Sequence, residues 1–183
     1  MNASLFNALF SLAHKTAFLD GLIIFFAKYL AYLLVLGFFI LLFRTAGARL
    51  KILYFCEAAL SVILARGILT EVIRYFYAHP RPFDALGITP SISEAGPSFP
   101  SGHMTFFFAL AGTISYFNKK WGMVYFLAGV FMGAARVFAG VHWPYDILGG
   151  IIIGLASAAF IHWLLKTYRE KLSEPRAPEI LKT

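Results

Sequence analysis

Charged side chains are scarce in this sequence. Only 14% of the 183 residues are Asp, Glu, Lys or Arg, 60% are hydrophobic, and the mean hydropathy is +0.73. A soluble domain of this length cannot bury so much apolar surface, so the composition excludes a soluble globular protein. Cysteine is nearly absent as well, and the single Cys56 excludes an internal disulfide. We therefore expect an integral membrane protein that forms one membrane-embedded domain over residues 1–183.

Acidic residues are also few, 9 against 16 basic ones, and the formal net charge is +7. An excess of basic residues can indicate nucleic-acid binding. In this chain, however, the Lys and Arg residues lie beside apolar runs, which is typical of membrane orientation signals and of contacts with anionic lipid headgroups. We therefore expect the lipid bilayer as the partner and no nucleic acid, and the sequence leaves the oligomeric state open.

Long apolar runs recur along the chain and predict its fold class. The fold is expected to be an all-α bundle of five, or six, transmembrane helices. Residues 2–18 are apolar on one face at helical spacing but too polar to cross a membrane, so the segment 1–18 is predicted to be an N-terminal interfacial helix. The five predicted spans cover residues 21–43, 52–73, 101–117, 121–137 and 145–165.

The segments between and after the spans have their own composition. Residues 74–100 are rich in proline, which predicts an extended cap over the bundle without helix. Residues 166–183 are charged and predict a cytoplasmic tail that is frayed or disordered. Five crossings place most Lys and Arg residues on one face, and the positive-inside rule makes that face cytoplasmic. We therefore expect a multi-pass protein of the inner (cytoplasmic) membrane, with its other face towards the periplasm or cell exterior.

A few residues inside the predicted spans are charged or very small. Lys28, Arg66 and Glu71 lie where charge is costly and usually paired. We expect Glu71 to pair with either Lys28 or Arg66 and to lock the first two spans together. Gly150 and Gly154 lie four residues apart and predict close packing between helices.

Three polar clusters fall together on the face away from the cytoplasm. The first runs from Arg74 to Pro82 at the end of the second span. The second, Pro100-Ser101-Gly102-His103, opens the third span. The third runs from Ala135 to Asp146 and bridges the fourth and fifth spans. We therefore expect one active site, built from all three clusters and facing the periplasm or cell exterior.

Several residue types in these clusters suit the binding of a tetrahedral oxyanion. Arg74, Arg81 and Arg136 offer forked donors that match phosphate oxygens. The first-turn amides of the third span, near Ser101 and Gly102, add the positive end of a helix dipole. These five residues form the candidate phosphate-binding set.

Two histidines supply the candidate reactive groups. Asp146 lies one helical turn after His142 and can accept a hydrogen bond from one imidazole nitrogen, which leaves the other nitrogen nucleophilic. His142 would attack phosphorus in line, His103 would protonate the leaving oxygen, and water would release phosphate from the phosphohistidine. The candidate catalytic residues are therefore His142, His103 and Asp146. No metal ion or other cofactor is expected, because the arginines supply the countercharge.

The three clusters resemble the signature of the type 2 phosphatidic acid phosphatase superfamily, the membrane lipid phosphate phosphatases. That signature reads Lys-x6-Arg-Pro, then Pro-Ser-Gly-His, then Ser-Arg-x5-His-x3-Asp, and the match covers residues 74–146. Arg74 stands where the family usually has Lys, and Ala135 where it has Ser. The resemblance implies a lipid phosphate substrate and the same roles for the candidate residues named above.

The N-terminal half carries a narrower resemblance. Its motifs Leu5-Phe6-Asn7, Leu19-Asp20 and Phe25-Phe26-Ala27-Lys28-Tyr29 are similar to the bacterial undecaprenyl-diphosphatase branch. This resemblance implies conversion of undecaprenyl diphosphate to undecaprenyl phosphate. Two alternatives stay open: a phosphatase for phosphatidylglycerol phosphate, phosphatidic acid or lipid A phosphate, and a non-catalytic lipid-binding membrane protein.

Overall fold

The computed structural model describes residues 2–11, 13 and 15–173, and the regular structure in this part of the chain is helical throughout. Long helices run through the bundle in alternating directions, and short helices flank them. Two long helices each contain a π-helical segment, Phe25–Tyr29 and Ile63–Leu69. The helices are α1 (Asn2–Phe10), α2 (Ala17–Arg44), α3 (Ala48–Phe76), α4 (Pro82–Leu86), α5 (Gly102–Phe117), α6 (Lys119–Phe138), α7 (Pro144–Leu164) and α8 (Lys166–Ser173).

Four helices of the described chain, α2, α3, α6 and α7, are long and apolar enough to cross a membrane. Large hydrophobic side chains on these helices point away from the bundle, as Phe43, Phe131 and Ile152 do. Such surfaces suit lipid, because hydrocarbon solvates apolar side chains while each helix satisfies its own backbone hydrogen bonds. The chain is thus a multi-pass membrane protein, as the sequence predicts.

Helix α5 corresponds to the predicted third span and occupies the centre of the bundle. It has 16 residues, which is about 24 Å of helix at 1.5 Å per residue. Most of its side chains are buried, among them Met104 and Phe108, and it packs against α3, α6 and α7. Gly150 and Gly154 of α7 allow this close packing, because a Cβ at Gly154 would lie 2.8 Å from the backbone nitrogen of Ala109.

The N-terminal segment differs from the prediction in length and packing. Helix α1 ends at Phe10 and α2 already begins at Ala17, so the predicted extent of the interfacial helix, residues 2–18, is wrong. Phe6 is fully buried, with its ring centroid 5.1 Å from that of Trp143. Helix α1 therefore packs onto the bundle at the end where α7 begins.

Two further segments predicted to lack helix contain it. Pro82 opens α4, where its fixed φ and missing N–H suit the first helical position. Helix α8 follows α7, and its Arg169 donates a hydrogen bond to the carbonyl of His162 at 2.6 Å and lies 3.5 Å from the carboxylate of the buried Glu57. Residues 174–183 of the predicted tail lie outside the described residues.

The charged residues within the spans pair differently from the expectation. Arg66 pairs with Glu71, as one alternative predicted, but both residues belong to α3 and are partly exposed. This pair therefore does not lock the first two spans together. In the described part of the chain, Lys28 of α2 has no recorded carboxylate partner, and its ammonium lies 5.5 Å from the ring centroid of Tyr29.

Candidate active site

The alternating helices bring the end of α3, the start of α5, the end of α6 and the start of α7 to one end of the bundle. They enclose a cavity of about 320 Å³ whose lining contains residues from all three sequence clusters. Segments that are far apart in the sequence therefore meet, as predicted. The charged, histidine and glycine residues of the lining are Arg66, Arg74, Arg81, Glu94, Gly102, His103, Arg136 and His142.

His142 lies in the short connection before α7 and is 1% exposed. Its Nδ1 lies 3.3 Å from Oδ2 of Asp146, in the first turn of α7. The same oxygen accepts a hydrogen bond from the backbone nitrogen of Trp143 at 2.8 Å and another from the hydroxyl of Ser98. Because the Asp146 carboxylate accepts a hydrogen bond from Nδ1, the proton is on Nδ1 and Nε2 keeps its lone pair. Nε2 lies 3.4 Å from Nη1 of Arg81.

The protonation state of His142 follows from its surroundings. Burial lowers the pKa of His142 well below its usual value, and the positive charges of Arg136 and Arg81 lower it further. The imidazole is therefore uncharged at neutral pH, which is the form that a nucleophile requires.

Backbone carbonyls hold three of the four arginines that line the cavity in place. Arg74 donates to the carbonyl of Pro100 at 3.0 Å, and Arg136 donates to the carbonyl of Ala27 at 3.1 Å. Arg81 donates to three loop carbonyls at 2.9 to 3.1 Å. In the described structure, Nε of Arg74 and Nε of Arg136 are buried without a hydrogen-bond partner. The arginines are thus positioned in advance and keep donors for a bound oxyanion.

The start of α5 brings Gly102 and His103 to the cavity, whereas Ser101 lies behind the lining. The Ser101 amide donates to the carbonyl of Asp146 at 3.1 Å, so this predicted phosphate donor is engaged within the fold. The Ser101 hydroxyl is buried without a hydrogen-bond partner among the described residues. A Cβ at Gly102 would lie 2.7 Å from Nε of Arg66, so glycine is what lets the Arg66 side chain cross the start of α5.

Sequence reasoning missed three residues at or beside the cavity as site residues: Arg66, Glu94 and Ser98. The Glu94 carboxylate pairs with Arg136 and lies 3.6 Å from Nη2 of Arg81. Burial raises the pKa of Glu94, but the charge of Arg136, the hydrogen bond from Arg136 and the other positive charges nearby together outweigh burial, and the pKa falls below its usual value. The ionised Glu94 carboxylate thus occupies a position among the guanidinium groups where a bound oxyanion is expected. The sequence offered only a weak signal for Glu94: Asp84 and Glu94 are the acidic residues of the proline-rich segment 74–100, and nothing nearby in the sequence distinguishes one from the other.

The arrangement can perform chemistry on a tetrahedral phosphorus. An uncharged imidazole beside guanidinium groups can attack phosphorus while those groups stabilise the charge on its oxygens. His103 lines the same cavity as His142 and is therefore the candidate proton donor to a leaving oxygen. Asp146 lies behind His142 and orients its ring.

Known proteins are similar to this chain over most of its length. A family model described as the PAP2 superfamily matches residues 55–170. The bacitracin transport permease protein BcrC of Bacillus licheniformis is 30% identical, with 89% of this chain and 80% of that protein covered. The undecaprenyl-diphosphatase BcrC of Bacillus subtilis (strain 168) is 31% identical, with 85% of this chain and 79% of that protein covered. Other matches are named phosphatidylglycerophosphatase B and lipid A 1-phosphatase.

A solved structure has the same fold. The crystal structure of Aquifex aeolicus LpxE matches with a TM-score of 0.73 at 24% identity and covers 87% of this chain and 93% of that one. The family match covers more than half of the chain and includes every candidate site residue. The chain is therefore a membrane phosphatase of the PAP2 superfamily.

Proposed function

We propose that the protein hydrolyses a lipid diphosphate, most specifically undecaprenyl diphosphate, to the lipid monophosphate and inorganic phosphate. The observation that carries this proposal is the position of His142, whose Nδ1 lies beside Asp146 and whose Nε2 lies beside an arginine-lined cavity. The relatives named undecaprenyl-diphosphatase support the choice of substrate.

The proposed reaction has two steps. In the first, Nε2 of His142 forms a bond to the terminal phosphorus, and the bond from that phosphorus to the bridging oxygen breaks. The electron pair stays on the bridging oxygen, which takes a proton from His103. In the second step, water attacks the phosphohistidine, His103 takes up a proton from that water, and phosphate leaves His142 free again.

The phosphate-binding groups have distinct proposed roles. Arg74, Arg81 and Arg136 bind the equatorial oxygens of the transferred group and stabilise the charge that grows on them. The start of α5 at Gly102 supports the same oxygens, and Ser101, which lies behind the lining, holds this turn in place through its bond to Asp146. The proposed mechanism assigns no step to a metal ion.

An apolar groove next to the cavity supports a lipid substrate. It runs between α2, α3 and α5, presents no polar surface, and shares Val35 and Phe106 with the lining of the arginine-lined cavity. A hydrocarbon chain in this groove would leave its phosphate headgroup at the arginines. The basic residues concentrated at the opposite end of the bundle support an inner-membrane location with the site towards the periplasm or cell exterior.

The test is phosphate release by the purified protein from a panel of lipids. The panel holds undecaprenyl diphosphate, phosphatidylglycerol phosphate, phosphatidic acid and lipid A phosphate, with a short soluble phosphate for comparison. We expect the highest kcat/KM with undecaprenyl diphosphate. A higher value with another lipid phosphate would assign that lipid as the substrate, and equal values on the soluble phosphate would contradict a lipid-specific site.

Two variants test the mechanism. His142→Ala should abolish turnover and the acid-labile phosphate label on the protein. His162→Gln is the matched control, because His162 lies at the opposite end of the bundle and glutamine keeps a donor for Glu57. Full activity of His142→Ala would contradict the proposed nucleophile, and lipid binding without turnover in the wild-type protein would favour the non-catalytic alternative.

A further inference from the structure

A second cavity, of about 480 Å³, adjoins the arginine-lined cavity. The two cavities share Tyr32, Glu94, His103 and Arg136 as their polar boundary, whereas His142 and Arg74 line the first cavity alone. One face of α2 and residues 91–93 form the remaining walls. The residues of the second cavity with polar side chains, apart from this boundary, are Lys28, Ser91 and Ser93.

Lys28 is the positive charge that the second cavity adds. It lies within the π-helical segment of α2, and such segments are frequent at functional sites. The carbonyl of the preceding Ala27 accepts a hydrogen bond from Nη1 of Arg136 at 3.1 Å, so this turn of α2 is bound to the arginine cage. A lysine within a membrane-spanning helix is costly, and this lysine has no recorded carboxylate partner in the described chain.

The walls of the second cavity also hold donors without acceptors. The Ser91 hydroxyl and Nε of Arg136 are both buried and lack a hydrogen-bond partner among the described residues. Buried polar groups are normally hydrogen-bonded, so unpaired donors at a cavity wall point to a ligand that accepts. The charges of Lys28 and Arg136 exceed the single negative charge of Glu94, so that ligand is expected to be an anion.

We propose that the second cavity binds the phosphate that remains on the lipid when a lipid diphosphate is cleaved, with Lys28 as its counter-charge. This inference rests on the proposed function and deepens it. The terminal phosphate lies in the first cavity beside His142, the bridging oxygen lies at the shared boundary beside His103, and the second phosphate lies beside Lys28. When the bond to the bridging oxygen breaks, the electron pair goes to that oxygen, His103 protonates it, and the lipid monophosphate remains in the second cavity.

The proposal makes Lys28 a determinant of substrate class. A lipid monophosphate places its single phosphate beside His142 and has no charged group for the second cavity. Loss of the Lys28 charge therefore reduces hydrolysis of diphosphates and leaves hydrolysis of monophosphates unchanged. A lysine that only reaches the membrane surface would affect both substrates alike, or neither.

The experiment compares farnesyl diphosphate with farnesyl monophosphate in the same detergent micelles. Lys28→Met keeps the length of the side chain and removes its charge, and Lys28→Arg restores the charge. Lys15→Met is the matched control, because Lys15 is exposed at the same end of the chain and lines neither cavity.

We expect Lys28→Met to lower kcat/KM for the diphosphate about tenfold, the typical effect of losing one charge-assisted hydrogen bond. Lys28→Arg should recover most of that loss, and the monophosphate should change less than about twofold.

An equal loss on both substrates, or no loss on either, would overturn the proposal.

A second measurement does not depend on turnover: the thermal stabilisation of the wild-type protein by inorganic diphosphate and by orthophosphate. We expect diphosphate to stabilise more, and Lys28→Met to remove that difference. If the wild-type protein hydrolyses no lipid phosphate but still distinguishes the two anions through Lys28, the proposed function fails and the second phosphate site stands. Equal stabilisation by both anions would overturn the site.

Discussion

Glu94 occupies the arginine cage, and replacing it with glutamine should tighten the binding of an oxyanion. The carboxylate pairs with Arg136 and lies 3.6 Å from Nη2 of Arg81, and it is 23% exposed. A phosphate that uses the same guanidinium groups has to displace this carboxylate. Glu94→Gln keeps the shape of the side chain and removes the competing charge.

The size of the effect follows from the contact between Glu94 and Arg136. A hydrogen bond to a charged group contributes about 1.5–3 kcal/mol, and glutamine keeps a bond of this kind to Arg136 but loses the attraction between the two opposite charges, which is about 1 kcal/mol. The contact to Arg81 is longer than a direct hydrogen bond, so it contributes less. In the variant, displacing side chain 94 from the arginines therefore costs about 1–1.5 kcal/mol less free energy than in the wild type. This difference corresponds to about five- to tenfold tighter oxyanion binding.

The assay is inhibition of phosphate release by orthovanadate, a tetrahedral oxyanion of the same charge type. We expect the inhibition constant of Glu94→Gln to fall about five- to tenfold relative to wild type. Asp84→Asn is the matched control, because Asp84 is an exposed carboxylate on α4 that does not line the cavity. An unchanged or higher inhibition constant in Glu94→Gln would refute the reasoning, since Glu94 would then support the cage without competing for it.

Two further predictions concern protonation and packing. Burial and the charges of Arg136 and Arg81 lower the pKa of His142, so its imidazole should stay uncharged as the pH falls to the ordinary histidine value and gain a proton only below it. Nitrogen NMR of histidine-labelled protein in micelles, assigned with His142→Ala, measures this titration, and a midpoint at or above the ordinary value would contradict it. Gly154→Ala should lower the thermal midpoint, because its Cβ would lie 2.8 Å from backbone atoms of α5, and overpacking of this kind costs about 1–3 kcal/mol. Gly21→Ala is the control, since a Cβ there has no neighbour within 4 Å, and an equal loss in both variants would argue against the α5–α7 contact as the cause.

Much of the fold could be predicted from the sequence, because it depends on residues that are close together along the chain. Hydropathy over consecutive residues predicted the long helices, and helical periodicity placed Asp146 one turn after His142. The alternation of spans then put the three clusters at one end of the bundle. The same periodicity predicted that Gly150 and Gly154 lie on one close-packed face of α7.

Other features depend on contacts between segments that are distant in the sequence, and local sequence patterns do not predict such contacts. Proline content alone did not reveal α4, because Pro82 opens a helix as readily as it excludes one from the interior. The start of α5 was predicted to offer the Ser101 amide to a phosphate, but the packing of α5 against α7 engages that amide with Asp146.

The tertiary structure alone decided which charges Glu94 and Lys28 meet. Glu94 reaches Arg136 because the loop before α5 folds back over the end of the bundle, and Lys28 faces a cavity because its turn of α2 is bound to the same arginine. Spans and helical register are set by neighbours within a few turns, so the sequence by itself determined them. The partner of a buried charge is set by packing between segments that are distant in the sequence, and that became visible in the folded chain.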